Sequence, residues 1–374
     1  MKFVSMLIRA LLLMSVIVFP LLFVTAFKTE ERKKPAVKNI ILLIGDGMGL
    51  SQMSSTYFYK NEEPNFSRFP VVGLSQTSAS SHKITDSAAG ATALSAGKKT
   101  YNGAIGVDQD TNHVETILEY FQKQGKSTAL IATSSITHAT PASFYAHVDS
   151  RNKAFEIAAF MTPSGVDFFA GGGRKFFTQK EENWKSLIKA GYTVDTTALW
   201  PASRIESNRK YGFLLADDGM PRITEGRGSF LKDATTLALN YLEKKETPFF
   251  MMVEGSQIDW GGHANDAQYV ITETLDFDEM VGAVFDFAEK DGNTLVIVTA
   301  DHETGGFTLS SEVKEVPFKG QQSDYNSIVP TFSTGGHSAT MVPVLAFGPG
   351  AEKFTGIYQN TEIYTKMMEL VGAL

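Results

Sequence analysis

The chain contains no cysteine. That absence excludes disulfides, a cysteine nucleophile and thiolate-held zinc, so a protein acting outside the cytoplasm would depend on its core and on bound ions for stability. Net positive charge is missing as well. Against 41 Asp and Glu stand 34 Lys and Arg, for a formal charge of −7, which makes the chain a poor match for nucleic acid. Tryptophan is scarce at three residues and histidine at seven, and no segment repeats or is of low complexity. What is present is apolar: 43% of 374 residues, ample for one large core or two domains.

Lys2 and Arg9 flank an apolar stretch that runs to Val24-Thr25-Ala26, with no acidic residue before Glu30. A charged start, an apolar middle and a small-residue end form the pattern of a secretory signal peptide. A membrane anchor is the alternative, and Pro20 with the small residues at the end favours cleavage. Residues 1–26 would then be removed. Residues 27–374 would form a single catalytic domain, periplasmic or secreted, with no stable membrane anchor, and the loss of Lys2 and Arg9 without any acid would deepen its negative charge.

Nearly continuous apolar runs at 37–44, 127–133, 249–253, 294–299 and 342–347 predict buried strands, because none alternates with period two. Helical patterns at 87–95, 115–124, 228–242, 266–289 and 361–371 fall between or after them. Strands alternating with helices predict a three-layer α/β/α sandwich around a mainly parallel sheet. In such sheets ligands bind beyond the carboxyl ends of the strands, where Asp46, Glu254 and Asp301 all fall. The polar segment 309–332 predicts a small irregular surface insertion near the site.

Ser87 follows Asp86 at the start of an alanine-rich helical run, T-D-S-A-A-G-A-T-A. Taken alone, Asp-Ser there reads as an N-cap; among helix N-terminal N–H groups the same serine is also placed for a bound phosphate. Asp46 in I-G-D-G-M-G either caps a helix from Leu50 or delivers a carboxylate to a shared centre. Asp301-His302 offers adjacent oxygen and nitrogen donors at a strand end, a set that suits zinc. Asp259 and His263 stand four apart, and Gly261-Gly262 between them predicts a loop wrapped around an ion. His337 in G-G-H-S-A-T by itself reads as an ordinary loop histidine. Together these donors and one serine suggest a metal-dependent phosphatase.

In order, I-G-D-G-M-G, T-D-S-A-A-G-A-T-A, T-H-A-T-P-A, E-G-S-Q-I-D-W-G-G-H, A-D-H-E-T-G-G and G-G-H-S-A-T resemble bacterial alkaline phosphatase over nearly the whole chain after residue 26. The resemblance implies hydrolysis of small-molecule phosphate monoesters at alkaline pH through a phosphoserine on Ser87. It also implies two zinc ions and one magnesium ion per chain, and a homodimer. One zinc would take Asp259, His263 and His337, the other Asp46, Asp301 and His302, and magnesium would take Asp46, Thr140 and Glu254. Arg151 matches the family's phosphate clamp.

Two positions depart from the best-known pattern. His138 replaces an aspartate near the magnesium site, where a nitrogen donor either binds the third ion or supports it from behind. Trp260 replaces a cation beside the phosphate, which should loosen the hold on product. The combination is similar to enzymes of some cold-adapted bacteria. Phosphodiesterases and sulfatases share the paired-metal ligands, but a sulfatase needs a cysteine-derived nucleophile, and Arg151 with Ser87 favours a dianionic monoester. An exported zinc- or phosphate-binding protein without catalysis is the non-enzymatic alternative, and it would need the ligands without Ser87.

Overall fold

The computed structural model describes residues 37–373, so the expected signal peptide at 1–26 lies outside the described residues. The strands are β1 (Asn39–Gly45), β2 (Val71–Gln76), β3 (Ser127–Ser135), β4 (Phe168–Gly172), β5 (Tyr192–Asp195), β6 (Lys210–Leu214) and β7 (Phe249–Gly255). They continue as β8 (Thr294–Thr299), β9 (Glu303–Thr304), β10 (Thr308–Val316), β11 (Gly320–Thr331), β12 (His337–Ser338), β13 (Val342–Phe347) and β14 (Gly356–Gln359). Ten of them form one sheet in the order β14-β2-β13-β8-β1-β7-β3-β4-β6-β5. Within it only β13 runs antiparallel, to both β2 and β8.

The central strands β1, β3, β7 and β8 are buried along their full length, as their unbroken apolar runs predict. Side chains still alternate between faces. Ile41 and Leu43 enter a core with the helices Phe230–Lys245 and Ala267–Asp291. Ile40, Leu42 and Ile44 enter a second core with the helices Ser87–Ala96 and Asn360–Leu370. The architecture is therefore a three-layer α/β/α sandwich. Among the described residues no helix is long and apolar enough to cross a membrane.

The five expected strands and five expected helices all form, with ends shifted by a few residues. Two expectations are corrected. Segment 309–332 is not irregular: β10 and β11 pair antiparallel from Thr308↔Thr331 to Val316↔Gly320, with a register shift after Ser311. Both faces of this hairpin are largely exposed, so it carries little of the apolar alternation by which strands are read. Nor do Asp259 and His263 sit on a loop; Gln257–His263 is a helix, on which a spacing of four puts both donors on one face. Its glycines serve close contact, for a Cβ at Gly261 would lie 2.7 Å from the Val270 nitrogen.

Candidate active site

The carboxyl ends of four adjacent parallel strands, β8, β1, β7 and β3, build the floor. Ile44 is level with both Thr299 and Glu254, so Asp46, Asp301 and Glu254 leave neighbouring strands at nearly the same height. Asp46 does not cap the helix Leu50–Tyr59, whose N-cap is Gly49 without a side-chain bond. Gly47, at φ +74°, lets the chain turn there, and a Cβ on it would lie 2.7 Å from the Asp259 Cα. Beyond β3, Thr140 Oγ1 donates to Asp46 Oδ2 over 3.3 Å, and Ser134 Oγ to Glu254 Oε2 over the same distance.

Asp86 is the N-cap of the Ser87–Ala96 helix, accepting from the Ala89 nitrogen through Oδ1 at 3.0 Å. The capping reading and the site reading of this segment therefore hold together. Asp86 Oδ2 accepts from Arg151 Nη1 at 3.1 Å, which brings the guanidinium to the serine's side of the helix end. Ser87 is buried, with Oγ 3.3 Å from His302 Nε2. Trp260 turns its indole edge-on to His138, ring centroids 5.8 Å apart, and a Cβ at Gly219 would lie 2.5 Å from that indole.

Three sets of donors converge, each with ligand atoms within 4.8 Å of one another: Asp259, His263 and His337; Asp46, Asp301 and His302; Asp46, His138 and Glu254. Each expected metal-binding residue thus joins a set, except Thr140, which reaches the third through Asp46. The first set has edges of 3.1, 3.5 and 3.6 Å between His263 Nε2, His337 Nε2 and Asp259 Oδ1. In the second, His302 Nε2 lies 3.2 Å from Asp301 Oδ2, 3.6 Å from Asp46 Oδ1 and 3.3 Å from Ser87 Oγ. A tetrahedral ion bound at about 2.0–2.1 Å requires edges of roughly 3.3–3.4 Å.

Proton placement makes the same demand for cations. His263 Nδ1 donates to the Gly335 carbonyl at 2.8 Å and His337 Nδ1 to the Thr85 carbonyl at 2.9 Å. In the neutral rings both Nε2 atoms therefore carry lone pairs, and those lone pairs face each other. Thr304, which the sequence reading passed over, settles the third histidine. Its hydroxyl donates to Asp259 Oδ1 at 2.6 Å and so accepts from His302 Nδ1 at 3.1 Å, leaving His302 Nε2 unprotonated towards Asp301, Asp46 and Ser87. Only the tertiary contact of β9 with the Gln257–His263 helix reveals this role; a threonine in A-D-H-E-T carries no signal of its own.

Electrostatics agree. Burial, then the charges of Asp301, Asp259 and Glu254, holds the Asp46 carboxyl well above its usual range. Burial also raises Asp301 and pushes Glu254 up to about 7. His302 is held down at about 3 by burial and by His337, and His138 at about 3 by burial and by Arg151. Among the described residues Asp46 Oδ1, Asp301 Oδ2 and Glu254 Oε1 are buried without a hydrogen-bond partner. Buried anions without partners are costly unless cations complete them.

A serine at a helix end, clustered cation donors and an arginine, all at the carboxyl edge of a parallel sheet, are the arrangement of a metal-binding α/β/α hydrolase. The chain belongs to the alkaline phosphatase family, whose sequence profile matches residues 37–329. It is 35% identical over 409 residues to alkaline phosphatase 4 of Bacillus subtilis (strain 168), covering 89% of this chain and 88% of that protein. Alkaline phosphatase of Escherichia coli (strain K12) is 32% identical over 417 residues, covering 93% and 88%. The solved alkaline phosphatase of the Antarctic bacterium TAB5 superposes with a TM-score of 0.88 at 53% identity, over 91% of this chain and 99% of that one. A variant of that enzyme with one histidine changed to aspartate is described with magnesium in its M3 site. The protein is thus a metal-binding enzyme that hydrolyses phosphate monoesters.

Proposed function

We propose that Ser87 is the nucleophile and that two zinc ions and one magnesium ion per chain serve it. The observation that carries this reading is the position of the Ser87 hydroxyl, 3.3 Å from the unprotonated His302 Nε2 at the edge of the second donor set. Sets with two histidines or an aspartate pair and a histidine suit zinc, and the oxygen-rich third set suits magnesium. When bound, the ions supply Lewis acidity that favours an ionised serine and neutralises a departing alkoxide. Such help is needed, because monoester hydrolysis can require acceleration of up to ~10²¹, roughly 28 kcal/mol, whereas one hydrogen-bond donor supplies about 3 kcal/mol.

The chain's own groups then divide the work. Arg151 holds two phosphate oxygens in a fork, steadied by Asp86. Ser87 Oγ, having lost its proton to solvent, bonds to phosphorus as the ester P–O bond breaks, and the alcohol leaves with a proton from water. A water molecule then attacks the phosphoserine, the Oγ–P bond breaks, and orthophosphate departs. His138 Nε2 accepts from Arg151 Nη2 at 3.4 Å and the ring lies against Asp46 and Glu254, so it links the clamp to the third donor set. Trp260 beside it offers no cation to the product.

Export through residues 1–26, a single domain over 27–374, a periplasmic or secreted location and a homodimer belong to the same reading, supported by the apolar N-terminal stretch and by the family resemblance. Acid quenching during turnover of labelled phosphomonoester should leave phosphate on Ser87, and label on another residue would sink the role given to it. Comparing kcat/KM for monoester, diester and sulfate ester tests the substrate class. Higher efficiency on the diester would transfer the chain to the phosphodiesterase alternative.

A further inference from the structure

Of the seven histidines, three stand outside the donor sets, and one of these, His147, is buried. Its Nδ1 lies 2.6 Å from the Gly106 carbonyl oxygen and its Nε2 2.8 Å from Glu119 Oε1. A carbonyl cannot donate. Glu119 is an ionised acceptor too: burial opposes its charge, but the bonds from His147 and from the Thr116 nitrogen, 2.9 Å from Oε2 in the capping box of the helix Ile117–Lys123, hold its carboxyl below the usual range. Both ring nitrogens must therefore donate, which makes His147 an imidazolium. Burial opposes that charge, but the bonds to Glu119 and Gly106 outweigh it and raise the His147 pKa, while Glu119 is lowered.

Among the described residues few other charges face it. Lys123, one turn along, is occupied by Glu115 at 2.6 Å and only weakly opposes the charge. The His113 ring stacks on His147 at 4.6 Å, and Phe160 meets it edge-on at 5.8 Å. What the imidazolium grips is the strap 103–106. Ile105 and Val148 exchange both backbone hydrogen bonds, at 3.0 and 2.9 Å. The Gly103 carbonyl accepts from the Arg151 nitrogen at 2.7 Å, and the Gly103 nitrogen donates to Asp86 Oδ2, the same oxygen that receives the guanidinium. Residues 147–151 are thus laid along the strap, pinned at one end by His147 and ending in Arg151 at the other.

We propose that His147, clamped between Glu119 and the Gly106 carbonyl, is a positioning residue for Arg151 and thereby sets the affinity of the site for phosphate. The inference rests on Arg151 as the phosphate clamp. Because the His147 pKa is raised, the clamp is fully present below the ordinary histidine value and is lost as pH rises through the raised one. Deprotonation turns a ring lone pair towards an oxygen, loosens the strap and weakens the hold on phosphate, so product release gains on the alkaline side.

The test uses the full metal-loaded enzyme, p-nitrophenyl phosphate as substrate and inorganic phosphate as competitive inhibitor. His147→Gln should raise the phosphate inhibition constant by roughly tenfold, the loss of one charge-assisted hydrogen bond, with metal content unchanged. In an Arg151→Ala background the same substitution should add nothing, whereas a merely structural role would still add. An unchanged constant in His147→Gln, or additive effects in the double variant, overturns the proposal. If Arg151→Ala itself leaves phosphate inhibition untouched, the reading of Arg151 fails first and this inference with it. Should His147→Gln not fold, Glu119→Gln must shift the alkaline loss of phosphate affinity to lower pH, and an unshifted profile overturns the proposal equally.

Discussion

Thr304→Val is the sharpest perturbation of the metal centre that leaves every donor in place. Valine keeps the volume of a fully buried side chain and removes one hydroxyl. Two hydrogen bonds go with it, to Asp259 Oδ1 at 2.6 Å and from His302 Nδ1 at 3.1 Å. An unpaired buried donor costs about 1–3 kcal/mol, and the ring of His302 loses what fixes its tautomer. Losses of that kind behind a metal ligand correspond to about 10–100-fold in metal affinity. Because the hydroxyl bridges a ligand of the first donor set and a ligand of the second, release of both ions should quicken together in a chelator competition. The ¹⁵N shifts of the His302 ring should show mixed protonation in the metal-free variant, against Nδ1–H alone in the metal-free wild type. Thr304→Ser, which restores the hydroxyl, should recover both readouts. A valine variant that holds its metals as tightly as wild type, or a serine variant as loose as valine, would refute the relay.

Ser87→Ala should retain fold and metal content while acid-stable phosphoenzyme disappears, and phosphoenzyme surviving in this variant would contradict the assignment. Exhaustive chelation should abolish turnover and lower the melting temperature, since ions bound only by the folded state stabilise it by mass action and no disulfide replaces them; full activity after chelation would contradict the site. Glu254→Gln should act with opposite signs in the two forms. In the chelated protein the wild-type carboxyl, raised to about 7, costs stability progressively as pH climbs from its ordinary 4.5, so the glutamine variant gains up to ~3 kcal/mol by pH 8 and nothing at pH 4. In the metal-loaded protein the same change removes a ligand and destabilises. Urea unfolding at the two pH values decides it, and a pH-independent difference between the chelated proteins would disprove the origin given for the shift.

The sequence alone determined the sandwich and most of its centre. Continuous apolar runs announce strands buried on both faces whatever their partners, so β1, β3, β7, β8 and β13 were legible, and the donors at their ends could be named one by one. Strands β2, β4, β5, β6 and β14 were not legible. They are short or lie towards the sheet edges, and, β5 with β6 apart, they pair with strands distant in the chain. The β10–β11 hairpin escaped because a strand exposed on both faces has no alternation to read. Tertiary structure alone decided the matters of proximity and protons. It put Asp259 and His263 on one helix face, set the His302 tautomer through Thr304, and made His147 a cation by surrounding it with two acceptors. Residue type fixes which atoms can donate or accept, but only the packing of distant segments decides which of them meet, and protonation follows from that meeting.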